Sequence, residues 1–427
     1  MSIYEELLKE IQLPKFYKVK QSIDSECIQD VAGEIKKQLL STKALERIHA
    51  GDRIAVTVGS REIANYALII KTLCDSLKEK GANPFIIPAM GSHGGAIAEN
   101  QKALIAHFGI DEEHMEVPVL SSMDTVYLGE TSDKIPVFFD KNASHADGIV
   151  VVGRIKIHTC FRGEIESGLM KMLAIGCGKQ KGAAALHKRG FAAMSKNVTE
   201  TARVCLEKMP VLFGMGILEN ACHQTRDICV MPAEEIEEKE KEILKISRRI
   251  APKIPFDKVD VLIVDEMGKN ISGTGMDPNI TGRSSPLGMF EPYVERLAVL
   301  DLTEESDGSA YGVGNADVIT NRLFSKIIMD NTYPNGLTNR DGKPMMIPPV
   351  MPNDKTALLF ALGTLTGDSL EQEPRVVWLH NTLCMDSFYI SESLLSQANE
   401  VEAMSIEERP YRICFDMDGN VECFQKL

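Results

Sequence analysis

The sequence predicts an α/β protein of two α/β domains with a cleft between them, its N-terminal sheet largely parallel and its C-terminal sheet mixed. Three observations carry that expectation. Short β-rich runs alternate with helical stretches through the first half, the grammar of βαβ units. One of those runs, residues 146–155, is almost wholly apolar, as a strand covered on both faces must be. A charged helical stretch then breaks at Ala-Pro-Lys-Ile-Pro (251–255), after which a second α/β unit opens.

The elements come in order. Arg-Ile-Ala-Val-Thr-Val-Gly (53–59) is strand-like, residues 62–80 have helical periodicity ending at Gly81, and Asn-Pro-Phe-Ile-Ile-Pro-Ala-Met (83–90) is a second strand. Ala-Asp-Gly-Ile-Val-Val-Val-Gly-Arg-Ile (146–155) is a third, and residues 233–249 form the charged helix. The second unit begins with Val-Asp-Val-Leu-Ile-Val-Asp (259–265) and has further strands near 297–302 and 375–380. The tail, 412–424, places an Asp-Gly turn between alternating segments, a hairpin signal. The expected division is 1–252 for an N-terminal catalytic and cofactor-binding domain, 253–408 for a C-terminal domain, and 409–427 for a terminal hairpin that packs back on the first domain.

Composition excludes several function classes. A chain of 427 residues with a net charge of −14 repels nucleic acid and anionic lipid, and no apolar run approaches the length of a membrane span. Ten cysteines without a CxxC pair, and an N-terminus without signal-peptide character, lead to the expectation of free thiols and a cytoplasmic setting.

In open α/β sheets the chemistry sits where strands end. After the 53–59 strand comes Gly59-Ser60-Arg61, after the 83–90 strand Gly91-Ser92-His93-Gly94-Gly95, and after the 146–155 strand a segment that begins at His158 and runs through Gly168-Leu-Met-Lys171 to His187. One arginine and two histidines are thus expected at equivalent strand ends of one sheet. The neighbours of Lys171 are Leu, Met and Ala, not those of an exposed helix face, so its amine is expected to be partly buried and to lose its proton easily. Gly176-Cys-Gly-Lys179-Gln is not a phosphate-binding P-loop, because the glycine and hydroxyl residues that motif needs are absent. The pairs His158-Thr-Cys160 and Cys222-His223 lack a second pair at structural-zinc spacing.

These residues, in this order, resemble the nickel-pincer nucleotide-dependent lactate racemase family. The carriers of the resemblance are Arg61, Gly91-Ser-His93, His158, Gly168-Leu-Met-Lys171 and His187, the last two being 16 residues apart. The resemblance implies a racemase or epimerase, an isomerase working by reversible hydride transfer. Its cofactor is a pyridinium nucleotide with two sulfur-bearing groups, joined to Lys171, holding nickel with His187 as the protein's metal ligand. That donor set, sulfur with one imidazole, suits nickel. It further implies His93 and His158 as paired acid and base, Arg61 with Ser60 at the cofactor, and Arg61 as an anion grip for the substrate carboxylate. Implied partners are the proteins that build the cofactor and insert nickel.

Departures from lactate racemases lie elsewhere. Val58 stands where the family has an aspartate three residues before the arginine, Gly-Gly comes after His93, and the stretch between His158 and Lys171 is about three residues longer. The Asp277-Pro-Asn279 frame is kept, but Ile-Thr-Gly-Arg283 stands where the family has Tyr-Gln and, soon after, Lys. The expected substrate is therefore a 2-hydroxy acid other than lactate, with Arg162, Glu164 and Glu166 in the longer loop, and Lys269, Asn279 and Arg283 in the second domain, as candidate contacts. A non-catalytic two-domain binder of an organic anion is the alternative, but such a binder has no need of a tether and a metal ligand. A nicotinamide dehydrogenase lacks its glycine fingerprint.

Overall fold

A computed structural model describes residues 3–59, 63–367 and 372–427. The chain forms two compact units, Asp24–Ala251 and Pro252–Leu427, the latter joined by the residues up to Ile23. The first strand, β1 (Phe16–Gln21), accordingly belongs with the C-terminal half of the chain.

The N-terminal unit contains β2 (Arg53–Val58), β3 (Asn83–Pro88), β4 (Thr125–Glu130), β5 (Pro136–Asp140), β6 (Gly148–Arg154), β7 (Val211–Glu219) and β8 (Thr225–Pro232). Its main sheet has the order β3-β2-β6-β7-β8, parallel except for the antiparallel pair β7–β8, while β4 and β5 form a separate hairpin. Alternation along β6 explains the apolar run. Ile149 and Val151 enter one core with Leu169, Leu173 and Leu244, and Val150 and Val152 enter the other with Ile35, Ile70 and Leu73. Both faces are thus covered, by helices Val31–Ser41 and Tyr66–Glu79 on one side and by Met194–Lys208 and Ile236–Ile250 on the other. Thr57, buried within β2, accepts from the Val152 amide at its hydroxyl oxygen at 3.0 Å, so the polar group costs the core little.

The C-terminal unit adds β9 (Lys258–Met267), β10 (Arg283–Ser284), β11 (Gly288–Met289), β12 (Tyr293–Leu302), β13 (Val318–Thr320), β14 (Val350–Met351), β15 (Val376–Leu379), β16 (Ser387–Ser391), β17 (Met404–Ile406), β18 (Tyr411–Phe415) and β19 (Val421–Lys426). Its sheet runs β14-β13-β12-β9-β15-β16-β1-β18-β19, with β17 also paired to β1. The first five of these strands are mutually parallel and the remainder antiparallel, a mixed sheet.

Two expectations about domain boundaries are corrected. The N-terminal 23 residues are not part of the first domain, because β1 fills an antiparallel gap between β16 and β18. The terminal hairpin, β18–β19, is part of the C-terminal sheet and pairs with β1, so it does not pack back on the first domain. Among the described residues no helix is long and apolar enough to cross a membrane.

Candidate functional site

Parallel register aligns Val58 with Pro88, so the loops after β2 and β3 leave the sheet side by side. Ser60 and Arg61 fall in the first of these loops and lie outside the described residues. Backbone comes very close at this edge. A Cβ on Gly59 would meet the Ala89 carbonyl oxygen at 2.0 Å, and one on Gly176 would meet the same oxygen at 2.5 Å, so neither position accepts a side chain.

His93 lies beyond Gly91 in the loop after β3 and is exposed. Its loop is held from beneath by the buried amide of Gln101, which donates to the carbonyls of Gly91 (3.0 Å) and His93 (2.9 Å). The Gly91 amide also donates to the Gly176 carbonyl at 3.1 Å, which joins the His93 loop to the segment just after Lys171. Lys179 is fully buried and serves as a strut. It pairs with the buried Asp140 at 2.8 Å and donates to the Pro88 carbonyl at the end of β3.

The loop that carries His158 leaves β6 and closes on itself through Lys156 and Ser167, whose backbones exchange bonds of 2.9 and 3.3 Å. Glu166 is the centre of this closure. Completely buried, it accepts from the amides of His158 (2.7 Å) and Gly163 (3.2 Å) and pairs with Arg248 (2.7 Å) on the helix Ile236–Ile250. Phe161, also buried, stacks on the His158 ring with centroids 4.1 Å apart. The Cys160 amide donates to His158 Nδ1 at 2.9 Å. Burial, then the positive charges of Lys171, Lys156, Arg162 and His187, hold the His158 imidazole well below its ordinary value, so the neutral ring is favoured. Arg162 is exposed and turns back to donate to the carbonyls of His158 and Phe161, while Glu164 is exposed and faces Lys241 at 3.7 Å. Glu166 is thus an internal brace and not the expected substrate contact, because it is fully buried with its carboxylate committed to the His158 and Gly163 amides and to Arg248.

Lys171 ends a short helical turn, Leu169–Lys171, whose amides at Leu169 and Met170 donate to the buried carboxyl of Glu240. Burial pushes that carboxyl up to about 8. A turn of π-helix, Met172–Gly176, comes next, closed by Cys177 N–H to Met172 O at 2.8 Å; such insertions recur at functional sites. Half-buried Lys171 has its amine drawn down to about 8 by burial, against which the neighbouring Cys160 acts in the opposite direction. The helix Lys179–His187 then delivers His187, half-buried and edge-on to Phe191 at 5.7 Å.

Lys171 and His187 thus both lie near enough to His158 to bear on its charge, and the His93 loop is hydrogen-bonded to the segment that comes after Lys171. Sequence reasoning missed several members. Lys156 and Cys160 flank His158, and Glu240 and Arg248 anchor the two functional segments from one helix, hidden in a run of alternating charges that reads as a solvated face. At the end of β6, Arg154 pairs with Glu219, and Tyr66 accepts from the Gly59 amide at 3.0 Å. An arginine four residues before His158 was the available signal.

In the C-terminal unit, Lys269 lies just after β9, with its amide on Ser306 Oγ at 2.8 Å and its ammonium 5.6 Å from the Tyr311 ring centroid. Asn279 donates from both its amide and its side chain to Asp277 Oδ1, so the Asp277-Pro-Asn279 frame builds a helix cap. Arg283 corrects an expectation. Its guanidinium donates to the carbonyls of Val294, Glu295 and Asn315 and pairs with Asp317, and these contacts make it a structural tie, not a substrate cation. The physical reason is the left-handed turn at Gly282, which directs Arg283 into the two-residue strand β10.

Among the described residues no group of three or more His, Cys, Asp or Glu side chains is placed to hold a metal. A metal at Lys171 and His187 would therefore have to bring most of its donors with it.

Residues 2–200 match the sequence profile described as the lactate racemase N-terminal domain. Among solved structures, the lactate racemase apoprotein from Thermoanaerobacterium thermosaccharolyticum aligns over 67% of this chain and 74% of its own, at 14% identity and a TM-score of 0.47. No curated protein sequence matches the chain. Through residues 2–200, which include His93, His158, Lys171 and His187, this chain is related to the lactate racemase family.

Proposed function

We propose that this chain is a racemase or epimerase of a 2-hydroxy acid other than lactate, with Lys171 as the tether and His187 as the metal ligand of a nickel-pincer nucleotide. What supports this reading is the match of residues 2–200 to the lactate racemase N-terminal domain, together with the π-helical segment after Lys171, whose Gly176 carbonyl accepts from the Gly91 amide of the His93 loop. The residues fit the group. A tether needs an amine that can be neutral near physiological pH, which Lys171 supplies, and the metal needs one imidazole, which His187 supplies.

When bound, the nucleotide supplies a site that takes the Cα hydrogen of the hydroxy acid as hydride and returns it. The chain does the rest. Removing that hydrogen as a proton would build negative charge next to a carboxylate, so the useful role for protein groups is to manage the hydroxyl proton, and His93 and His158 are the groups proposed for it. Arg61 is the proposed grip on the substrate carboxylate or the cofactor phosphate, together with Ser60. Arg162 lies beside His158 on an exposed, self-braced loop, where it would meet the extra polar groups of a larger acid. Lys269 and Asn279 remain candidate contacts from the second unit. Loading requires partner proteins that build the nucleotide and insert nickel.

The test is intact mass and metal analysis of the chain co-produced with those proteins. A covalent nucleotide adduct with about one nickel per chain is expected, both abolished by Lys171→Ala, with His187→Ala losing nickel while keeping the adduct. Chiral separation over a panel of 2-hydroxy acids then identifies the substrate. Unmodified protein, under conditions that load a lactate racemase, would overturn the reading.

A further inference from the structure

The C-terminal unit holds a cavity of about 590 Å³ where its parallel strands begin. Lys258 opens β9, Tyr293 opens β12 in register with it, and Asp317 stands directly before β13; all three line the cavity. Ligands of open α/β sheets ordinarily sit at the other ends of the strands, where Lys269 comes after β9. The ten residues of β9 span roughly 30 Å, so the cavity is remote from Lys269.

Its charge opposes that of the chain. Lys258, Arg283, Arg296 and Lys343 line it with Glu295 and Asp317, an excess of two cations in a chain of net charge −14. Both carboxylates are engaged. Glu295 accepts from the amide and hydroxyl of Thr366 at 2.8 and 2.9 Å, and Asp317 accepts from the Leu297 amide at 2.7 Å and pairs with Arg283. The guanidiniums are committed as well, Arg283 to the carbonyls of Val294, Glu295 and Asn315, and Arg296 to Thr364 and the Glu295 carbonyl. That leaves the lysines. Lys258 stands 3.9 Å from Asp260, whose carboxylate is already taken by Arg375 at 2.8 and 3.0 Å, and Lys343 is exposed. Carboxylate ligands are gripped best by an arginine fork, and both forks here are spent on the protein. An ammonium is a compact point charge that suits a doubly charged phosphoryl group. Tyr293, 44% exposed, adds an aromatic face to the wall.

We propose that this cavity binds a small phosphate-bearing anion, its phosphoryl group held by Lys258 and Lys343. The site does not depend on the function proposed above.

The test is calorimetric titration of the full chain with inorganic phosphate, AMP and malonate at low ionic strength, where exposed charges are least screened. Phosphate or AMP should bind with a Kd of about 1 mM or tighter, and malonate, a dicarboxylate of similar charge, at least about tenfold more weakly. Lys258→Gln and Lys343→Gln should each weaken the phosphoryl probes about fivefold to tenfold, whereas Lys208→Gln, the same charge change in the N-terminal unit, leaves them unmoved. AMP binding ahead of phosphate identifies a nucleotide-class ligand with its ring at Tyr293, and equal binding identifies free phosphate; either order supports the site. Since Trp378 lies in the C-terminal unit, the same probes should raise its urea midpoint in the parent chain and not in the two lysine variants, whose midpoints without probe should match the parent's. Four results overturn the inference: no binding at millimolar concentration, malonate bound as tightly as phosphate, lysine variants that bind like the parent, or an equal loss in Lys208→Gln.

Discussion

Lys171 is the residue whose environment departs most usefully from water. With its amine drawn down to about 8 against an ordinary value of about 10.4, its neutral fraction at pH 7 exceeds that of a solvated lysine by roughly two orders of magnitude. Reductive methylation of the unloaded chain at pH 7, with peptide mass spectrometry as the readout, should therefore modify Lys171 ahead of exposed lysines such as Lys188. Its rate should level off near pH 8, and a profile like that of Lys188 would remove the basis for the tether. The linkage has a definite sign. A lysine whose folded value is depressed binds fewer protons folded than unfolded between about 8 and ~10.4, so its burial destabilises the fold fully below that window and the penalty is relieved as pH rises through it.

At the scale of elements, the decisive piece is the helix Ile236–Ile250. Glu240 caps the turn that carries Lys171, and two helical turns later Arg248 braces Glu166 beneath His158. Gly168 is the point of closest approach, where a Cβ would lie 2.3 Å from Glu240 Oε1. Gly168→Ala is expected to cost about 1–3 kcal/mol, by displacing a buried, hydrogen-bonded carboxyl, and to slow cofactor attachment at Lys171. Urea unfolding checks the first expectation, and a midpoint unchanged from the parent chain would show that Glu240 yields freely. This is also where legibility in the sequence ended. His93, His158, Lys171 and His187 could be found because glycines and strand ends mark them, and β2, β3, β6 and the helix before Gly81 because their apolar periods are regular. Glu240 and Arg248 were invisible, since a buried carboxylate in Glu-Lys-Glu-Lys-Glu has the same local sequence as an exposed one. Arg283 was misread for the converse reason: a cation in a glycine-rich loop looks available until the carbonyls around it are known.

At the scale of the whole molecule, the chain enters its C-terminal sheet before it builds its N-terminal unit. Strand β1 bridges the parallel part of that sheet, through β16, to the terminal hairpin, so the first and last segments of the sequence meet in one layer. No periodic signal predicts this. Phe16-Tyr-Lys-Val-Lys-Gln21 is a short alternating run whose partners lie more than 350 residues away. Phe16 is 1% exposed and stands edge-on to the single tryptophan, Trp378, at 5.6 Å, with Phe424 of the hairpin at 5.9 Å. Truncating it empties the junction of β1, β15 and β19, and a buried Phe→Ala change typically costs about 3–5 kcal/mol. Phe16→Ala should therefore lower the urea midpoint reported by Trp378 fluorescence, which belongs to the C-terminal unit alone. Hydrogen exchange at β2 and β6 should stay near that of the parent chain, because those strands lie in a separate compact unit. If residues 1–23 belonged to the N-terminal domain instead, the pattern would invert, with exchange in β2 and β6 accelerating and the Trp378 transition unmoved.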